Sequence, residues 1–226
     1  MNFNEYKFHA SSIGKIMVES KTKDQLGETC KGHLLECWIG AKYGRYRELE
    51  NEYVEKGNMV EEDSMTLYSR VTNRFYQKNT EVLENDFIIG TPDIIHENTI
   101  IDLKSSWSIH TFFQVLHKPI NKDYVYQVNA YQWLADCGIG KLVYVLVNTP
   151  DVLIENQKSK LRYKMGLIDP EANPVYVKAC EEIDKNSIFD DIEIKERYIE
   201  FLVTPADKGK VYERIKECRN FLNGLG

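Results

Sequence analysis

The chain has 226 residues and a mass of 26.4 kDa, enough to bury a full core in one α/β domain. Its composition of 42% hydrophobic, 12% aromatic and 28% charged residues, with 13 Gly and 6 Pro, excludes collagen-like, coiled-coil and disordered chains. The net charge of −6 is concentrated in residues 51–100, with 10 acidic and 4 basic side chains, a pattern that fits either a divalent-cation site or a solvated acidic face.

Met1–His9 lacks the basic start and apolar stretch of a secretory signal. Ser11 and Ser12 then precede a short helix over 13–18, with a hydroxyl cap. A second helix is predicted at about 25–43, its stripe made of Leu34, Leu35, Trp38 and Ile39, and a third at about 52–71, where Val60, Ser64, Leu67 and Val71 share a side. The period then changes. Two short Ile-rich runs, 87–95 and 100–107, flank His96-Glu-Asn-Thr99 and read as a β-hairpin.

A helix over about 124–135 follows, entered at Asn121 or Asp123 and closed by Gly138, then a buried strand over 141–148 ended by Thr149-Pro150. The strand's apolar run, Leu142 to Val147, is far shorter than the roughly 20 residues of a membrane span, so no membrane partner is expected. The remainder holds a charged segment at 158–164, a helix near 174–186, a strand near 198–203 and a helix near 206–222. With no repeat or linker, residues 1–226 read as one domain with a catalytic core at about 50–148, an α/β (α+β) fold with a central mixed sheet flanked by helices.

Five Cys at irregular spacing, with no Cys-x-x-Cys pair, imply reduced thiols and no iron–sulfur cluster. Cys30, His33 and Cys37 fall on one helix face, read as buried small residues because no fourth zinc ligand accompanies them. Lys158, Lys160, Arg162 and Lys164 recur every second residue, so an extended segment would turn four cations to one side. That face suits a DNA backbone, or equally an edge guarded against aggregation.

The hairpin fixes a pairing. Whether its turn is Glu97-Asn98 or the four residues from His96 to Thr99, Asp93 lies opposite Asp102, and Lys104 projects to the same face. Opposed carboxylates repel unless a cation lies between them, and Mg²⁺ is a suitable one. Without the apolar Ile94, Ile95, Ile100 and Ile101 around them, these charges would read as a solvated strand face with one salt bridge.

Gly90-Thr-Pro-Asp93 followed by Ile101-Asp-Leu-Lys104 resembles the motif of the PD-(D/E)XK nucleases, whose restriction-endonuclease-like fold it implies. Gly57-Asn-Met-Val-Glu61 resembles the family's upstream Gly-x-x-x-Glu, and Gln127-Val-Asn-Ala-Tyr131 its downstream Gln-x-x-x-Tyr. Within that superfamily, His9-Ala-Ser11-Ser12 and the spacing of Gln127 and Trp133 are similar to the phage lambda-type exonucleases, the YqaJ-like viral recombinase group. The likeness covers about 8–148; Lys7 stands near the place of that group's phosphate-binding arginine.

The resemblance implies an Mg²⁺- or Mn²⁺-dependent exonuclease acting on duplex DNA ends, 5′ to 3′, inside a phage-infected host. A single-strand-annealing recombinase would be its partner and a homotrimer its assembly. Asp93, Asp102, the Leu103 carbonyl and Glu61, favoured over Glu62 by its spacing from Gly57, would hold the metal. Lys104 would position or deprotonate water, and Gln127 and Tyr131 would orient DNA or the lysine. Ser11 and Ser12 would meet a phosphate or merely cap a helix, and Tyr131 and Trp133 read equally as core aromatics. The alternatives are an endonuclease, a RecB- or Cas4-like repair nuclease, or a DNA-end-binding protein without cleavage.

Overall fold

The structure, a computed structural model, describes residues 2–20, 26–46 and 52–226. Strand β1 (Phe8–His9) leads through a 3₁₀ turn (Ala10–Ser12) into helix α1 (Ile13–Ile16), followed by α2 (Glu28–Tyr43), α3 (Glu52–Met59) and α4 (Glu61–Thr72). Next come β2 (Leu83–Glu84), β3 (Ile88–Gly90), β4 (Ile94–His96) and β5 (Thr99–Ser105), then α5 (Ile109–Gln114), α6 (Lys122–Ala135) and β6 (Ile139–Val145). Helices α7 (Asp151–Met165) and α8 (Pro174–Lys185), β7 (Tyr198–Leu202) and α9 (Lys208–Gly224) complete the fold.

The strands form two sheets, ordered β1-β3-β2 and β4-β5-β6-β7. In the larger one, β5 runs antiparallel to β4 and parallel to β6, and β7 is antiparallel to β6. Both faces are covered. Ile100 and Leu142 pack with Val128 of α6, Ile16 of α1 and Ile215 of α9. Ile94, Ile101, Val143 and Val145 pack with Leu67 and Tyr68 of α4 on the other side. This is the expected helix-flanked mixed α/β architecture. Among the described residues no helix is long and apolar enough to cross a membrane.

Several local expectations are corrected. The run 87–95 divides at Thr91-Pro92, and β3 and β4 enter different sheets, because Pro92 has no N–H to extend a ladder. The helix predicted over 52–71 breaks at Val60, which leaves helical geometry (φ −106°, ψ 13°) and is buried. The expected start of the second helix at Gln25 lies outside the described residues; within α2, Cys30 and Leu34 are buried while Leu35 faces solvent. Ser12 Oγ donates to the His9 carbonyl (2.8 Å) and makes no side-chain cap, and the capping-box helix α5 was not foreseen.

The segment 158–164 is helical, inside α7, which the period-2 reading missed. Its start and stop signals outweigh the alternation: Asp151 in the first turn, buried Leu153 and Ile154, and Gly166 at φ 64° closing the end. The four cations therefore divide between faces, since residues two apart on a helix lie about 200° apart.

Gly90 allows the closest approach in the smaller sheet. A Cβ there would lie 2.8 Å from Tyr131 Cε1 and 2.9 Å from the Ala10 Cβ. Gly90→Ala is expected to destabilise the fold by about 1–3 kcal/mol, measured by urea denaturation.

Candidate active site

Strand β4 is short, pairing Ile94 with Ile101, Ile95 with Ile100 and His96 with Thr99 around a two-residue turn whose Glu97 has φ 52°. Beyond Ile101 the β5 edge has no β4 partner, and Asp93 fills the place: its Oδ2 accepts the Leu103 N–H at 2.7 Å. The Leu103 carbonyl shares that edge, because a strand residue's N–H and C=O point the same way. Asn79 holds the Pro-Asp segment, donating its backbone N–H to the Asp93 carbonyl (2.8 Å) and its side-chain amide to that of Pro92 (3.1 Å).

Continuing the register sets Asp102 opposite Asp93, with Lys104 one step beyond on the same face. Asp102 is fully buried, and Lys104 Nζ lies 2.6 Å from its Oδ2. This is charge pairing by proximity, since neither carboxylate oxygen accepts a well-directed hydrogen bond. Burial raises both carboxyl pKa values. For Asp93, burial and the Asp102 charge outweigh Lys104 and the Leu103 N–H, pushing it up to about 7. Burial opposes the Lys104 ammonium, but the Asp102 and Asp93 carboxylates more than compensate and hold it protonated above its ordinary range. Its Nζ also lies 5.0 Å from the centre of the Tyr124 ring.

A cavity of about 540 Å³ brings together Gly57, Glu61, Asp93, Leu103, Lys104 and Tyr124, with Ser106 and Trp107 in its wall. Glu61 lines it, whereas Glu62 faces a different groove with Phe75. Glu61 Oε2 is bonded to Lys78 Nζ at 2.6 Å. Gln127 and Tyr131 stand behind the site: Gln127 donates to the Tyr131 hydroxyl (3.1 Å), and that ring is 5% exposed and part of the core. Trp133 packs against the same core.

The other expected residues lie elsewhere. Ser11 and Ser12 line a separate cavity of about 200 Å³ with Lys15 and His33, and Lys7 is paired with Glu84 at 2.8 Å. On α7, Lys158 pairs with Glu155 (3.2 Å) and Asp184 (2.8 Å), while Arg162 donates to the carbonyls of Leu167 and Ile168. The single cationic face drawn from Lys158, Lys160, Arg162 and Lys164 does not form. Cys30 Sγ packs 3.7 Å from Cys218 Sγ, away from any zinc set.

Among the described residues no three His, Cys, Asp or Glu side chains converge to hold a metal by themselves. The donor chemistry nevertheless suits Mg²⁺, which keeps several waters and takes one or two carboxylates with substrate oxygens. Asp102 Oδ1 is buried without a partner, and two opposed carboxylates leave negative charge to neutralise. The sequence reading missed three residues around this site. Tyr124, one turn before Gln127, carried a signal; Lys56, a charged residue that hydrophobic patterning passes over, and Lys78, in a loop, carried none.

No protein-family model matches the sequence, and no curated protein matches it significantly. Solved structures do. A phage-related exonuclease from Haemophilus somnus 129PT superposes with a TM-score of 0.77 at 26% identity, covering 98% of this chain and 95% of that one. The alkaline exonuclease of Laribacter hongkongensis gives 0.63 at 11% identity over 98% and 90%, and its complex with dAMP gives 0.64. The fold is that of the PD-(D/E)XK nucleases. Within that group the chain is similar to the phage lambda-type exonucleases.

A pH dependence follows from Asp93. Its folded-state pKa, about 7, lies above the unfolded value near 3.8, so the stability it contributes is complete at low pH and is lost as pH rises through 7. In EDTA, the stability of Asp93→Asn relative to wild type should rise between about pH 4 and pH 7 and level off above that, by urea denaturation across the range.

Proposed function

We propose that the protein is a divalent-metal-dependent DNA exonuclease that degrades one strand of linear duplex DNA from its ends. The observation that carries this reading is the Asp93–Asp102–Lys104 cluster at the open edge of β5, in a fold shared over 98% of the chain with a phage-related exonuclease. Asp93, Asp102 and the Leu103 carbonyl would hold Mg²⁺ or Mn²⁺, with Glu61 contributing directly or through water while shared with Lys78. When bound, the metal lowers the pKa of a water and offsets charge on the scissile phosphate.

The chain's own groups do the rest. Lys104, held protonated by Asp102, is a donor: it hydrogen-bonds the attacking water or a phosphate oxygen and stabilises the charge that develops there. Asp102 fixes the ammonium's position. Tyr131 and Gln127 support the face on which these groups stand, and Tyr124 covers the ammonium and limits its exposure to water. Cleavage in the 5′ to 3′ direction, a role in phage recombination beside a single-strand-annealing protein, and a homotrimeric assembly complete the reading.

The test is digestion of linear 5′-phosphorylated duplex DNA beside covalently closed circles, in Mg²⁺ and in EDTA. Loss of the linear substrate alone, only with metal, is expected, and Lys104→Ala should lower the rate roughly 10²–10⁴-fold. Cutting of the circle would establish an endonuclease; no cleavage by folded protein in Mg²⁺ or Mn²⁺ would leave a DNA-binding protein. Isothermal titration of Mg²⁺ should show binding by wild type and none by Asp102→Ala.

A further inference from the structure

Lys56 is 1% exposed, an unusual place for an ammonium. Its Nζ donates to the carbonyls of Ser106 (3.0 Å) and Trp107 (3.2 Å) and to Thr149 Oγ1 (3.0 Å). An ammonium has three protons, and all three are engaged. The same Nζ lies 5.6 Å from the centre of the Trp107 ring and 5.7 Å from that of Phe189. Burial lowers its pKa to about 8, while the three oxygens favour the charged form.

The acceptors come from two places where chain leaves the large sheet. Ser106 and Trp107 follow Lys104 out of β5 and line the cavity, and Thr149 lies between β6 and α7. Ser106 still donates its N–H to Val145 (2.8 Å), but its carbonyl and that of Trp107 turn to Lys56. The next residue, Gly57, itself lines the cavity, so one side chain links the α3 part of its lining to the Ser106–Trp107 part. An apolar side chain could fill this volume without the desolvation of a buried charge. Three donors radiating from one atom are what it could not supply.

We propose that Lys56 is a positioning residue of the nuclease site: by tethering the Ser106 and Trp107 carbonyls to Thr149, it sets the cavity wall that seats the scissile strand beside Asp93, Asp102 and Lys104. This inference rests on the nuclease reading above. The wall lies directly after Lys104 in the chain, so a shift of the 106–107 backbone misplaces the substrate relative to the ammonium. Asp93, anchored through Leu103 and Asn79, keeps its place.

The test compares full-length wild type, Lys56→Met, Thr149→Val and the double variant on linear duplex DNA, with Mg²⁺ affinity by calorimetry and melting by circular dichroism. Lys56→Met should lower kcat roughly 10- to 100-fold while KM and Mg²⁺ affinity stay within about threefold. Thr149→Val should lower kcat about two- to fivefold alone and add nothing in the Lys56→Met background, because the two groups act through one bond. Wild-type kcat in folded Lys56→Met, or a fall matching only its unfolded fraction, would overturn the proposal. Should Lys56→Met not fold, Thr149→Val decides, and an unchanged kcat there overturns it. Wild type that cleaves no DNA overturns the nuclease reading and this inference together, whereas active wild type with unaffected variants overturns this inference alone.

Discussion

Two carboxylates that face each other across neighbouring strands, one fully buried, are the constraint around which this structure is arranged. Burial and mutual repulsion both push Asp93 toward its neutral form, and Lys104 and the Leu103 backbone N–H act against them. The apolar neighbours Ile94, Ile100 and Ile101 are all essentially inaccessible, so the sheet itself does little to screen the charges. The unfavourable charge arrangement is held in place by the core on either face. A site of this kind gains stability from any cation that enters it, and strain kept at a reactive centre is offset by packing elsewhere.

The site's openness comes from a single interruption. Pro92 ends one sheet and delays the next, so β4 covers only the first half of β5. The uncovered half contains Leu103 to Ser105, its side chains alternating between the α4 side and the α6 side. Glu61 reaches the cavity from one helix layer and Tyr124 from the other because the sheet ends between them. A longer β4 would pair the Leu103 backbone with another strand and close that space.

What the sequence made legible was what a fixed period determines. Strand alternation and a turn centred between Glu97 and Asn98 are enough to set Asp93 against Asp102, whatever the rest of the chain does. Long helices with clear ends, such as α6 behind Asn121 and α8 behind Asn173, were readable because their caps are local. Lys158 to Lys164 misled because alternation of charge fits a strand and a solvated helix equally, and the flanking Asp151, Leu153, Ile154 and Gly166 distinguish them. The separation of β3 from β4 was hidden because both are Ile-rich, and sheet membership depends on partners such as Phe8, 80 residues upstream of Ile88. Lys56 was hidden for a different reason: hydrophobic patterning passes over a lysine, and the oxygens that make its burial tolerable come from Ser106, Trp107 and Thr149, far along the chain.

Lys56 and Lys104 show how the fold separates two uses of one functional group. Lys104 is surrounded by formal charges, and its proton is held more tightly than in water. The result is a persistent positive charge at the cavity, suited to a negatively charged phosphate. Lys56 is surrounded by neutral dipoles and rings, which orient its protons but do not repay the loss of water, and its pKa falls to about 8. Its value to the structure is directional, since three oxygens around one nitrogen join two separate segments of chain, 106–107 and Thr149, where a carboxylate partner would hold only one. Carboxylates tune charge and carbonyls tune shape, and this site places a lysine among each, with Ser106 and Trp107 forming the wall between them.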